Sequence, residues 1–310
     1  MPVDLATFVS ALKASADLAK ASKEILHEEN EDLLSKVTYH IKSIEVWSGR
    51  VQTLGMLEPL ATPDVTIPLL INSAPRTFLK LKSGASLSEN DIIDNSNNYL
   101  ILGDPGSGKT TTVKRLIRKV LTEAPVSDDD KVSFPLLVIA RELKVGQTLF
   151  REIADILGLE YIFQEHSRSD TSITEFGLRN RKEHGVRSGD YYYKGRRLEN
   201  VIHEFLNEAR VLLFVDGIDE IDPESRPSIE SELGRMARGD GIKIVVTCRS
   251  GEFGKSQFEG FNVVEIAPLT DLESKEIINR WARDPSGFVR DLDAAPYRDS
   301  SNRPLFLTQL

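Results

Sequence analysis

The 310-residue chain has a single cysteine, Cys248, which excludes an intramolecular disulfide framework and agrees with a reducing compartment. It has no uninterrupted apolar run of bilayer-spanning length. Its N-terminus, MPVDLATFVSALK, places an acid before any base and lacks a cleavage-like apolar region, so no secretory leader is read there. Cytoplasmic residence without membrane attachment is the expectation. Net positive charge is also missing: 39 Lys and Arg against 48 Asp and Glu leave −9, which argues against a surface built as a nucleic-acid footprint while leaving local basic patches open. Residues 3–34 contain neither Gly nor Pro, and show no metal-ligand spacing, nucleophile motif or paired carboxylates. What the chain does contain is ordinary for a globular protein, 40% hydrophobic and 28% charged residues, in a length that holds one large α/β domain and a smaller accessory segment.

One stretch organises the rest. Tyr99-Leu-Ile-Leu-Gly-Asp-Pro-Gly-Ser-Gly-Lys-Thr-Thr111 runs from an apolar strand through a glycine-rich turn into an amphipathic helix, and fits G-x-x-x-x-G-K-[ST] through Gly103, Gly108, Lys109 and Thr110. Gly103, Gly106 and Gly108 lack a Cβ, so the loop can turn its amides toward an anion at close range. The following helix, with Val113, Leu116, Ile117, Val120 and Leu121 at helical spacing, aims its positive end at the same point. Gly103, Asp104, Pro105, Gly106, Ser107, Gly108, Lys109, Thr110 and Thr111 are the candidate phosphate-binding set. Lys109 is expected to reach the β- and γ-phosphates, and the Thr110 hydroxyl to ligate Mg²⁺.

Around this motif the pattern alternates. Residues 3–34 have helix composition, with one stripe of Leu5, Phe8, Val9 and Leu12 and a second of Leu33, Leu34, Val37, Ile41 and Ile44. Such helices are read either as a cap packed on the next domain or as a module that docks partner helices. Pro59, Pro63 and Pro68 punctuate a linker, and Val65-Thr-Ile-Pro-Leu-Leu-Ile71 reads as an edge strand. Phe134-Pro-Leu-Leu-Val-Ile-Ala140 is a buried strand, followed by a helix with Leu149, Phe150, Ile153, Ile156 and Leu157 on one face. From about 160 to 197 periodicity is lost in a stretch that mixes basic, acidic and tyrosine residues, which fits a solvated insertion better than a partner surface or a single-strand-binding patch.

A second apolar strand, Val211-Leu-Leu-Phe-Val215, ends in Asp216-Gly-Ile-Asp-Glu220. Parallel strands expose chemistry at their carboxyl ends, so Asp216 stands where a phosphate-bound Mg²⁺ needs a carboxylate. Asp219 and Glu220 are candidates to orient or deprotonate a water. The strand Ile242-Lys-Ile-Val-Val-Thr247 ends in Cys248-Arg-Ser250; Arg249 is read as a γ-phosphate sensor or a structural ion-pair partner. Cys248, with no neighbouring His or CxxC, reads as a small buried residue. After a strand at Asn262-Val-Val-Glu-Ile266, Thr270 and Glu273 form a capping box for a helix carrying Ile277, Ile278 and Trp281. Pro304 opens a last helix that stops in mid-pattern, as expected of a fragment or of an early stop.

Taken together these residues resemble the NACHT-type branch of the STAND signalling NTPases, relatives of the AAA+ ATPases. The resemblance rests on Leu212-Leu-Phe-Val-Asp-Gly-Ile-Asp-Glu220, which is similar to the family's Walker B, on Pro135-Leu-Leu-Val-Ile-Ala-Arg-Glu-Leu143, on Thr247-Cys-Arg-Ser250 as its sensor 1, and on Asn302-Arg-Pro-Leu-Phe-Leu307 as its N-P-L-x-L segment. It covers about residues 65–310. It implies an α/β P-loop fold with a five-stranded parallel sheet in the order 5-1-4-3-2, flanked by helices, and an N-terminal helical segment. The expected division is 1–60 helical, 61–268 nucleotide-binding with the insertion near 160–197, and 269–310 the start of a helical lid. It further implies ATP or ADP with Mg²⁺, slow hydrolysis, Pro304 near the adenine, and a switch that oligomerises on nucleotide exchange to engage trigger and effector proteins, in immunity or phage defence. The competing reading is an AAA+-type remodelling motor acting on protein or nucleic acid; a phosphoryl-transfer kinase would not need Asp219, Glu220 and Arg249 together.

Overall fold

The computed structural model describes residues 20–52, 58–73, 86–122, 134–157, 192–193, 196–197, 206, 211–239, 242–253, 258–282, 284–294 and 302–308. The stripe Leu5, Phe8, Val9 and Leu12 and most of the 160–197 insertion lie outside these residues; helical spacing is also read from Leu198, Val201, Ile202, Phe205 and Leu206, of which only Leu206, buried, is described. Among the described residues no helix is long and apolar enough to cross a membrane.

The chain opens with helix α1 (Lys20–Gly49), short strands β1 (Arg50–Val51) and β2 (Leu60–Ala61), and the single turn α2 (Thr62–Val65). The sheet is then built from β3 (Ile71–Asn72), β4 (Ser86–Leu87), β5 (Asn98–Gly103), β6 (Phe134–Ile139), β9 (Val211–Asp216), β10 (Lys243–Arg249) and β11 (Phe261–Ile266); β7 (Tyr192–Tyr193) and β8 (Arg196–Arg197) form a separate pair. Its order is β4-β3-β11-β5-β10-β9-β6. The five parallel strands, counted along the chain, therefore stand as 5-1-4-3-2, the order the family resemblance implies. Every residue of β5 and of β9 is buried, which is why both read as unbroken apolar runs.

The sheet differs from expectation at the β11 edge. Residues 65–71 are not a strand: Thr62–Val65 is a helical turn with Pro63 near its start, and only Ile71 and Asn72 pair, antiparallel to β11. Pro68 has no N–H to donate to a ladder, so strand pairing begins only after it. β4 then pairs outside β3, so among the described residues the five expected parallel strands are extended by two antiparallel ones.

Helices cover both faces. They are α3 (Glu89–Asp94), α4 (Lys109–Thr122), α5 (Leu149–Ile156), α6 (Arg226–Met236), α7 (Asp271–Trp281), α8 (Pro285–Ala294) and α9 (Pro304–Leu307). Val113, Leu116 and Ile117 of α4 are fully buried against the sheet, each contributing about 1.5–3 kcal/mol. Val37, Ile41 and Ile44 of the second predicted stripe are buried, while the side chains of Leu33 and Leu34 lie outside the described residues; α1 packs on α4 and β6. β6 is the outermost strand at that end, and one of its backbone donors, Leu137 N–H, is accepted by His40 Nε2 of α1 at 3.3 Å. Burial pushes the His40 pKa down to about 4, so the ring is neutral and can accept.

Candidate functional site

The carboxyl ends of β5, β9 and β10 open on one cavity of about 430 Å³. Sequence reasoning assigned its phosphate end residue by residue, and the chain brings those residues together. Gly106 and Gly108 have φ of 77° and 97°, in the left-handed region that glycine tolerates. A Cβ on Gly108 would stand 2.7 Å from Leu69 Cδ1, and one on Gly106 3.0 Å from Leu305 Cβ. Ser107 N–H donates to Asp104 O at 3.1 Å, closing the turn. Lys109 Nζ donates to Gly103 O at 2.8 Å and Asp104 O at 3.2 Å, so the ammonium is held inside the loop. Its burial lowers its pKa; Asp219 opposes this, Arg249 adds to it, and Asp216 opposes it.

Behind the loop, Thr110 Oγ1 donates to Asp216 Oδ2 at 2.8 Å, and Thr247 Oγ1 donates to Asp216 Oδ1 at 2.7 Å. Gly217 N–H in turn donates to Thr247 Oγ1 at 2.7 Å. Thr247 thus fixes the carboxylate at the tip of β9 from the tip of β10, which leaves Asp216 and Thr110 side by side.

Asp219 and Glu220 divide their work. The Asp219 carboxylate is buried and doubly engaged by Arg249, accepting from its backbone N–H at 2.9 Å and pairing with Nε at 2.9 Å. Glu220 is 39% exposed and stands 3.7 Å from Arg249 Nη2. The ion-pair reading of Arg249 therefore holds in this conformation, and Glu220 is the carboxylate left open to the cavity. Cys248 is fully buried, with its pKa pushed up to about 12 by burial first and the Asp219 charge second.

The other end of the cavity is apolar, walled by Val65, Ile67 and Leu69 on one side and Ile277, Trp281 and Pro304 on the other. The capping box of Thr270 and Glu273 starts α7 as expected, and the helix hands two donors across the cleft. Trp281 Nε1 donates to Val65 O at 2.6 Å, and Arg280 Nη1 to Thr66 O at 2.7 Å. Proline at the first position of α9 sets that turn beside the glycine loop, where Leu305 N–H donates to Gly106 O at 3.2 Å and Arg303 Nη2 stands 3.6 Å from Asp104 Oδ2.

Sequence reasoning missed Thr247 as the residue that holds Asp216, although it was visible as a polar residue ending an apolar strand. It gave no site role to Arg141, which it placed only within the 135–143 motif, to Trp281, which it placed on a helix, or to Val65, Ile67 and Leu69, which it read in an edge strand; apolar residues in such a stretch carry no signature of a base wall.

The cavity fits a nucleotide by its own chemistry. Ser107 Oγ is buried inside the loop without a hydrogen-bond partner. A Cβ on Gly103 would run into that hydroxyl and stand 3.2 Å from Lys109 Cγ, so a side chain there would crowd the cradle. A polar end and an apolar slot match phosphates and a base. Among the described residues no cluster of three His, Cys, Asp or Glu could hold a metal alone. A divalent cation here would rest on Asp216, Thr110 and phosphate oxygens, the usual arrangement for Mg²⁺.

The NACHT domain family matches residues 97–285, more than half of the chain. Among solved structures, a STAND protein with a tetratricopeptide repeat sensor from Pyrococcus horikoshii is 16% identical over 76% of this chain and 30% of its own, with a TM-score of 0.39. CDC6P from Pyrobaculum aerophilum is 13% identical over 71% of this chain and 55% of its own, with a TM-score of 0.40. The chain thus spans less than two thirds of either protein. No curated protein matches it.

Proposed function

The chain belongs to the NACHT domain family of P-loop NTPases, and we propose on that premise that it is a Mg²⁺-dependent ATP/ADP switch. The observation that carries this reading is the convergence of the glycine loop, the Thr110–Asp216 pair and the open Glu220 carboxylate on one cavity with an apolar slot. Bound Mg²⁺ would neutralise charge on the β- and γ-phosphates. The protein's own part is to bind and orient. Loop amides and Lys109 hold the phosphates, and Val65, Ile67, Trp281 and Pro304 hold the base. Glu220 orients or deprotonates the attacking water, while Asp219 keeps Arg249 at the tip of β10.

The reading extends to a two-state mechanism. The lid touches the phosphate loop directly through Leu305 N–H and Gly106 O, and touches the base wall through Trp281 and Arg280. A nucleotide contacts both sides of these hydrogen bonds, so exchange of ADP for ATP would bias the lid between arrangements. Hydrolysis is then slow, the resting state retains ADP, and the activated state self-associates to engage effector proteins. A role in immunity or phage defence is part of this proposal. Denaturing the purified protein and chromatographing the supernatant tests it: stoichiometric ADP is expected, whereas no nucleotide together with fast turnover would overturn the switch.

A further inference from the structure

The cations around the phosphate end are committed, with one exception. Lys109 is held by two loop carbonyls, and Arg249 by Asp219 and Glu220. Lys114, one turn along α4 from Thr110, donates to Arg50 O at 2.6 Å. Arg141 also lines the cavity, is exposed, and among the described residues has no hydrogen bond or ion pair. Among the described residues nothing answers its guanidinium.

Its place follows from the sheet. β6 and β9 run parallel with Ile139 opposite Asp216, so Arg141 lies two residues beyond the level of the metal-site carboxylate. The helical turn Ala140–Glu142 that carries it packs on the turn Ile218–Glu220 that carries Glu220. Lys114 loses basicity first through burial, and then feels Asp216 and Arg141 with opposite sign, as two charges flanking the same helix face would act. The cavity holds three carboxylates, Asp216, Asp219 and Glu220, against three cations, Lys109, Arg141 and Arg249. Arg249 is already paired with Asp219 and Glu220, so among the described residues Arg141 is the cavity cation left to answer the charge that a third phosphate adds beyond the loop and Lys109. A guanidinium presents a planar donor fork matched to phosphate oxygens.

We propose that Arg141 is the residue by which this site tells a triphosphate from a diphosphate, contacting the terminal phosphate from the end of β6. This rests on the nucleotide-switch reading and adds to it the element that makes the two nucleotides unequal. It also gives a use to the Arg-Glu-Leu tail of the second parallel strand, which the phosphate loop and Asp216 leave unexplained.

The test is calorimetric titration of the full chain with ADP and with a non-hydrolysable ATP analogue, both with Mg²⁺, for wild type, Arg141→Ala and Arg141→Lys. Because Arg141 has no partner among the described residues, both variants should fold with unchanged melting temperature. Arg141→Ala is expected to lose about tenfold or more in affinity for the analogue, the scale of a charge-assisted contact, while ADP affinity stays within about twofold. Arg141→Lys keeps the charge without the fork and is expected to fall between them. An unchanged ratio of the two affinities in Arg141→Ala, including an equal loss of both, overturns the proposal and leaves the nucleotide reading standing. Failure of wild type to bind either nucleotide overturns the nucleotide reading and this inference with it.

Discussion

Thr110 Oγ1 and Asp216 Oδ2, 106 residues apart in the chain, stand 2.8 Å from one another at the tips of the phosphate loop and β9. On the proposed function each would hold Mg²⁺, and the Thr110 hydroxyl donates to the carboxylate. The second oxygen of Asp216 is held by Thr247. Thr247→Val should therefore leave Asp216 free to turn and Gly217 N–H unpaired, at a cost of about 1–3 kcal/mol. The expected result is a lower melting temperature and a higher Mg²⁺ concentration for half-maximal ATP binding. Asp216→Asn should abolish the Mg²⁺ dependence itself, read by titrating Mg²⁺ at fixed nucleotide.

Gly108→Ala combines two penalties. The residue sits at φ 97°, and the added methyl would meet Leu69 at 2.7 Å, on the wall of the apolar slot. Loss of about 1–3 kcal/mol of stability is expected from the backbone alone. Thermal unfolding should show a lower melting temperature that added nucleotide no longer raises. Full rescue by nucleotide would show that the loop tolerates the side chain.

His40 makes stability depend on pH. Its pKa in the folded chain is about 4, against about 6.5 when unfolded, so the unfolded state binds the extra proton first as pH falls. The contribution is fully present above pH 6.5 and is lost progressively down to pH 4, on the order of 3 kcal/mol in all. Chemical denaturation at a series of pH values should show this slope, and His40→Gln, which keeps an acceptor for Leu137 N–H, should flatten it. An identical slope in the variant would assign the pH dependence to other groups.

Trp281→Phe removes the hydrogen bond to Val65 O and keeps most of the ring. About 1 kcal/mol, or roughly fivefold in nucleotide affinity, is the expected loss, falling equally on ADP and ATP because the base end does not see the third phosphate. Titration with both nucleotides checks the equality.

The sequence made the parallel frame legible because strands buried on both faces must be apolar throughout, as Leu100 to Leu102 and Val211 to Val215 are, and because the phosphate loop demands glycine where the backbone turns back on itself. Asp216, Asp219 and Glu220 could be placed because they end such a strand. The base wall was not legible: Val65, Ile67 and Leu69 make a pocket only after Pro63 and Pro68 have broken the strand pattern and Trp281 has reached across from a helix more than two hundred residues away. Arg249 was left open between sensing and ion pairing because its partner was decided by geometry, the meeting of the β9 and β10 tips. The burial of Val37, Ile41 and Ile44 of α1 was readable from their spacing, but not that His40 among them would cap the edge of the sheet.

The central claim is that the Gly103–Thr111 loop binds a nucleotide through Lys109. Calorimetric titration of wild type and Lys109→Ala with Mg²⁺ and ATP or ADP tests it most directly. The account predicts saturable binding of both nucleotides to wild type and loss of both in Lys109→Ala at an unchanged melting temperature in the absence of nucleotide; equal affinity in the variant and in wild type would contradict it.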